Sequence, residues 1–200
     1  MSRLAEIRKV LLYTLILNIS VASAKIIYGS LINSVSMFSD GIHSFSDGTS
    51  NIVGLIGIWV ASRPADETHP YGHRKFETLS TIAIAVLIFM AGIEILRKSY
   101  YKLMNPEAIE VTYASFVIMA ITLSVNILVM TYESRKGREL KSDFLIADAM
   151  HTKTDIFISL SVLVSLIAAK IGYQIIDVIA ALVITVFIAI MGLEILKSAA

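Results

Sequence analysis

The sequence predicts an all-α fold, a bundle of six transmembrane helices with both termini on the cytoplasmic side. Three observations carry that expectation. Hydrophobic residues make up 56% of the chain and the mean hydropathy is +0.76. Apolar stretches near or above about 18–20 residues, the length a helix needs to cross hydrocarbon, recur along the chain. Lysine and arginine gather in alternate connections between those stretches.

Six spans are read, at about 10–28, 35–60, 79–96, 111–130, 145–169 and 175–196. A helix satisfies its own backbone hydrogen bonds, which lipid cannot do. A soluble bundle would also show polar outer faces, and these segments mostly lack them. The first span resembles a signal peptide only superficially: it carries Asn18 and Lys25 and has no convincing cleavage site, so it is expected to remain in the protein. Arg3, Arg8 and Lys9 precede it; Arg63, Arg74 and Lys75 separate the second and third spans; Arg135, Lys136, Arg138 and Lys141 separate the fourth and fifth. The other side has Arg97, Lys98, Lys102 and Lys170, while Lys25 and Lys153 fall inside spans. The positive-inside bias therefore puts both ends in the cytoplasm, as an even number of spans requires.

The chain has no cysteine, which excludes disulfides, thiolate metal sites and a cysteine nucleophile. A transition metal would have to be held by imidazole and carboxylate. A net charge of +1 gives no reason to expect a nucleic-acid partner.

Charged residues at a helix centre cost about 2.5–3.5 kcal/mol each on insertion scales, so they need a functional or pairing reason. In the second span Ser36, Asp40, His43, Asp47, Asn51 and Gly54 recur at steps of three or four and share one face, which must point into the protein. The fifth span repeats the design with Asp148, His151, Asp155 and Ser159. Each H-x-x-x-D offers one imidazole and one carboxylate that converge, because Cβ atoms four residues apart on a helix lie about 5–6 Å apart. Two such helices face to face supply four ligands, enough for a tetrahedral Zn²⁺ shell at about 2.0–2.2 Å. A single histidine of this kind would read as a hydrogen-bonded core residue. The same spacing in two spans points instead to metal or proton coupling. Two carboxylates balance the ion's charge, and imidazoles that must be neutral to bind make affinity proton-dependent.

Asp40 and Asp148, one turn from these residues, are read as pairing groups or vestibule residues rather than ligands. Lys153 falls on another face, paired with an acid or reaching toward the interface. Asn18, Lys25, Asn126 and Asp177 are candidates to line a cavity, with helix–helix hydrogen bonding an equal reading for Asn126, and the methionines are read as packing. A second cluster, Asp66, His69 and His73, lies in the loop after the second span; Pro70 and Gly72 make a tight turn there plausible, an ordinary polar loop is the alternative, and Glu77 would support or compete for a ligand. An internal echo accompanies these motifs. D-x-x-H-x-x-x-D occurs at Asp40–Asp47 and Asp148–Asp155, and Gly92-Ile93-Glu94-Ile95-Leu96 matches Gly192-Leu193-Glu194-Ile195-Leu196; two related, inverted halves of three spans each are one reading, and chance similarity in a restricted alphabet is the other.

The runs Ser39-Asp40-Gly41-Ile42-His43-Ser44-Phe45-Ser46-Asp47, His69-Pro70-Tyr71-Gly72-His73-Arg74-Lys75-Phe76-Glu77 and Ala147-Asp148-Ala149-Met150-His151-Thr152-Lys153-Thr154-Asp155 resemble, in order, motifs of the cation diffusion facilitator family. The resemblance covers essentially the whole chain. It implies a six-helix, proton-coupled exporter of Zn²⁺, Fe²⁺, Mn²⁺, Co²⁺ or Cd²⁺, usually homodimeric, in a bacterial or archaeal plasma membrane. It implies His43, Asp47, His151 and Asp155 as the transport site and Asp66, His69 and His73 as a second, cytoplasmic site. The two-His, two-Asp set resembles the zinc-exporting branch, while harder ions such as Mn²⁺ prefer more carboxylate. One transport domain over 1–200 is expected, with no match in this chain to the cytoplasmic C-terminal domain that many members carry.

On this reading metal enters from the cytoplasm, displaces protons from His43 and His151, and leaves after the bundle rocks outward. The two H-x-x-x-D motifs lie early in spans that run in opposite directions. A cytoplasmic extension of span five through Arg138–Phe144 is the expected way of matching their depths. An intramembrane metalloenzyme is disfavoured, because no H-E-x-x-H occurs and four ligands leave no open position. A proton channel or a metal sensor without transport is the remaining rival.

Overall fold

The computed structural model describes residues 3–61, 75–105 and 108–199, and every one of its regular elements is an α-helix. They are α1 (Arg3–Leu31), α2 (Val35–Ala61), α3 (Lys75–Met104), α4 (Tyr113–Glu139), α5 (Asp143–Lys170) and α6 (Ile175–Ala199). Each expected span corresponds to one helix, the fourth starting two residues before α4. Four of the six are long and apolar enough to cross a membrane on length and composition alone: those containing Lys9–Leu31, Tyr113–Glu139, Asp148–Lys170 and Ile175–Lys197. The helices are 25–30 residues long, about 38–45 Å at 1.5 Å per residue, so their ends reach past the hydrocarbon into the headgroup layer.

The closest pairings are α1 with α2, α4 with α5, and α3 with α6, while α2 also packs on α3, α5 and α6. The two hairpins α1–α2 and α4–α5 repeat one another. An offset of 108 residues takes Thr14 to Thr122, Asn18 to Asn126, Gly29 to Gly137, Ser34 to Ser142, Asp40 to Asp148, His43 to His151 and Asp47 to Asp155. The turns match as well. Asn33 (φ 56°) and Lys141 (φ 49°) both take the left-handed conformation, Ser34 N–H donates to Gly29 O at 2.9 Å, and Ser142 N–H donates to Gly137 O at 2.8 Å. Ser34 and Ser142 then cap α2 and α5 by accepting from Met37 N–H and Leu145 N–H, satisfying one of the orphan donors of a helix N-terminus. The outer helices follow the same logic: Gly92 lies against Ile188 and Gly192 against Ile88, an exchange of partners under an offset of 100 residues.

Glycine is required where these hairpins close. A Cβ on Gly29 would stand 2.6 Å from Phe38 N, and one on Gly137 would stand 2.8 Å from Ile146 Cγ1. Backbones of consecutive helices thus approach closely at the turn, as small residues permit between membrane helices.

The expected helical extension of α5 through Arg138–Phe144 does not occur. α4 ends at Glu139, Lys141 turns the chain, and Ser142 starts α5 afresh. Depth is matched by stagger instead. α2 continues on the cytoplasmic side for fourteen residues from Asp47 to Ala61, and α5 continues on the outer side for fifteen from Asp155 to Lys170. The two helices slide past one another until their polar stripes overlap.

The outer end of α2 is tied down by α6. The buried Asp177 carboxylate accepts from Val35 N–H at 2.8 Å, Ser36 N–H at 3.2 Å and Ser34 Oγ at 2.7 Å, and Lys102 Nζ of α3 lies 3.0 Å away. A carboxylate at a helix N-terminus is stabilised by the unpaired N–H groups and the helix dipole. Asp177 is therefore a structural clamp joining α2, α3 and α6, not a cavity liner. Most of the apolar core lies between these helices and α5, around Met37, Ile88, Ile95, Leu166, Ile184 and Ile188.

Candidate metal centre

The stripes of α2 and α5 meet in antiparallel register as a ladder of polar rungs. From the cytoplasmic side outward, Asp47 faces His151, His43 faces Asp155, Asp40 faces Ser159 and Ser36 faces Ser165. Steps of three or four residues on α2, and of four, four and six on α5, keep the rungs in the interface.

The two inner rungs bring together the four residues singled out by spacing. His151 Nε2 lies 3.0 Å from Asp47 Oδ2, His43 Nε2 lies 3.7 Å from Asp47 Oδ2 and 3.6 Å from Asp155 Oδ1, and the two imidazole centroids are 6.4 Å apart. One donor atom each from His43, Asp47 and Asp155 falls within a 4.8 Å cluster, and His151 joins it through Asp47. Ligand–ligand edges of a tetrahedral shell with bonds of about 2.0–2.2 Å are roughly 3.3–3.6 Å long, so these separations are close to those a bound ion would impose. Among the described residues Asp47 Oδ1, Asp155 Oδ1 and His43 Nδ1 are buried without a hydrogen-bond partner, while Asp47 Oδ2 is left to the His151 and His43 imidazoles. Buried acceptors left this way are costly unless something binds them. The donor set, the separations and the unpartnered oxygens all fit a divalent cation.

Exposure changes along the ladder. The His151 side chain is 42% exposed, whereas that of His43 is 5% and those of Asp40 and Lys25 are 0%. Below His43 the outer side is closed by an ion pair: Lys25 Nζ of α1 sits 2.9 Å from Asp40 Oδ2 and donates to Ser159 Oγ at 2.8 Å, and Ser159 Oγ donates to Asp40 Oδ2 at 3.0 Å. Asp40 is thus a pairing residue, as expected from sequence. Lys153 is exposed on the opposite side of α5. The second cluster, Asp66, His69 and His73, lies outside the described residues, so the geometry does not bear on it.

The transmembrane domain model of the cation efflux proteins matches residues 11–200, 190 of the 200 residues. The chain belongs to the cation efflux family. Members of this family, the cation diffusion facilitators, are transporters rather than enzymes. Among similar proteins, an uncharacterized transporter of Methanocaldococcus jannaschii is 37% identical over 95% of this chain and 67% of its own length. The manganese efflux system protein MneP of Bacillus subtilis is 30% identical over 82% of the chain and 55% of its own length. The cation-efflux pump FieF of Shewanella oneidensis is 28% identical over 78% and 52%. The chain therefore spans about half to two thirds of the length of these relatives. Its apolar helices and its bacterial and archaeal relatives make it an integral plasma-membrane protein.

Sequence reasoning missed two features of this efflux domain. Lys25 was visible as an intramembrane charge, but its partner stands fifteen residues away on another helix, a distance no helical period connects. Glu133 is wholly buried in α4, yet it lies beyond position 130, where the apolar run of the fourth span fades. The 108-residue offset that pairs it with Lys25 was the signal that would have found it.

Proposed function

We propose that this chain carries a divalent transition-metal ion out of the cytoplasm in exchange for protons, holding the ion between α2 and α5 with His43, Asp47, His151 and Asp155. The observation that carries the reading is the convergence of two imidazoles and two carboxylates whose buried oxygens lack other partners. The greater exposure of His151 supports loading from the cytoplasmic side, and the Lys25–Asp40–Ser159 layer supports a closed outer side. Binding requires neutral imidazoles, so the ion displaces protons from His43 and His151. Protons from outside displace the ion again once the bundle has opened outward. Asp66, His69 and His73 are proposed as an accessory cytoplasmic site, and a second copy of this chain as the partner in a homodimer, both by resemblance to the family.

Zn²⁺ suits the two-nitrogen, two-oxygen set best. The similarity to MneP, named for manganese efflux, favours Mn²⁺ as a second reading, and Fe²⁺, Co²⁺ and Cd²⁺ are the remaining candidates. Proteoliposomes with an imposed pH gradient and each metal supplied in parallel test the proposal. Uptake driven by the gradient and fastest for Zn²⁺ is expected. Acidifying the side from which metal binds should weaken binding by up to roughly tenfold per pH unit for each imidazole that must lose a proton. Metal binding without flux would make the protein a sensor; flux indifferent to the gradient would remove the antiport.

A further inference from the structure

The 108-residue repeat fails at one informative position. Thr14, Asn18, Gly29, Ser34, Asp40, His43 and Asp47 all recur unchanged, but the counterpart of Lys25 is Glu133, so the sign of the charge is reversed. Both side chains are wholly buried. On the outer side the Lys25 ammonium sits against Asp40 and the layer is neutral. On the cytoplasmic side Thr152 of α5 bridges the two acids, its hydroxyl donating toward Glu133 Oε2 at 3.4 Å and lying 3.2 Å from the backbone carbonyl of Asp148, the counterpart of Asp40. Among the described residues Glu133 Oε1 has no hydrogen-bond partner.

Two carboxyl groups facing each other in a low-dielectric interior repel unless a cation lies between them. In the outer layer that cation is part of the protein. Replacing a lysine by a glutamate lowers the charge by two units, and a dication restores it. The oxygens of Glu133, Asp148 and Thr152 form a hard donor set suited to a divalent ion that keeps part of its water shell. Asp148 lies three residues before His151 on α5, so an ion there is about one helical turn, roughly 5 Å, from the transport quartet.

We propose that Glu133 and Asp148, assisted by Thr152, form a second divalent-cation site on the cytoplasmic side of the quartet, where the transported ion is held before it enters. The proposal deepens the efflux reading and rests on it. The site supplies direction: an acidic waypoint raises the local cation concentration at the inner mouth, while at the symmetry-related outer position Lys25 already balances Asp40 and leaves no carboxylate for a returning ion.

The test is metal stoichiometry and flux in the full chain in nanodiscs, with Mn²⁺ as an electron-paramagnetic-resonance probe and Zn²⁺ as competitor. E133Q, which keeps the shape and removes the charge, should bind one ion fewer than the unaltered protein. It should also need roughly tenfold more metal for half-maximal flux. Asp155→Ala should lose the quartet's ion and retain the one that E133Q loses. E133K, which reproduces the outer ion pair, should behave as E133Q in binding. E133Q and E133K proteins with undiminished stoichiometry and unshifted half-saturation would overturn the site, leaving a shared proton between the carboxyls. Retention of the quartet's ion by Asp155→Ala, with one ion still lost in E133Q, would instead overturn the quartet and sustain the Glu133 site.

Discussion

The two layers that flank the quartet share a backbone and differ in charge. Outside it, Lys25, Asp40 and Ser159 close into a neutral, fully buried network. Inside it, Glu133 and Asp148 stand together with the more exposed His151 on the same side. Helices related by an inverted repeat present the same face to both sides of the membrane, and a symmetric site of that kind has no direction. On the proposed reading, one exchange of lysine for glutamate leaves one side closed by an internal ion pair and makes the other a mouth for cations. Asymmetry in a transporter built from repeats can thus rest on single side chains while the packing stays equivalent.

The largest effect expected concerns what the halves share. Asp47→Ala and Asp155→Ala are counterparts in the repeat, and each should lower metal flux in proteoliposomes by roughly a hundredfold or more, since loss even of a supporting residue around a metal costs 10–100-fold. The two losses should be similar. A variant that keeps unaltered flux would remove its residue from the site, and strongly unequal losses would break the equivalence of the halves.

A smaller effect separates the flanking layers. Lys25→Met leaves Asp40 buried without its cation, so unfolding in detergent should be easier by about 3–5 kcal/mol, and adding Asp40→Leu should recover much of that. Glu133→Met removes one of two like charges and should leave stability unchanged or raised. Equal destabilisation by both would show that the layers are energetically alike.

The smallest difference lies in the turns. Gly29→Ala drives a methyl group into the Phe38 backbone, whereas the nearest obstacle to Gly137→Ala is the Ile146 side chain, which can rotate away. Overpacking costs about 1–3 kcal/mol, and the gain in helix propensity offsets up to about 1 kcal/mol of it. Thermal unfolding should therefore rank Gly29→Ala as the more damaging. The reverse order would mean that the cytoplasmic hairpin is the tighter one.

Helix number, the inward stripes of α2 and α5, and the four side chains that meet between them were legible in the chain, because membrane helices obey one period and one solvent. A run of apolar residues has few alternatives in lipid, and a polar residue repeated every three or four positions can only face protein. The expected continuation of α5 through Arg138–Phe144 failed because local chemistry overrides the run: Gly137 admits the neighbouring backbone, Lys141 turns left-handed and Ser142 restarts the helix. Asp177 read as a cavity residue and proved to be the cap of another helix, since a carboxylate's partner on a distant segment leaves no trace in its own neighbourhood.

By itself the sequence determined the class of protein, the elements and the four groups proposed to hold an ion, because hydrophobicity, helical period and side-chain chemistry act over a few residues. Tertiary structure decided the stagger that brings the stripes level, the Lys25–Asp40 closure and the meeting of Glu133 with Asp148. Those depend on which helices touch and at what depth, and buried charge is governed by the nearest group in space rather than the nearest in the chain.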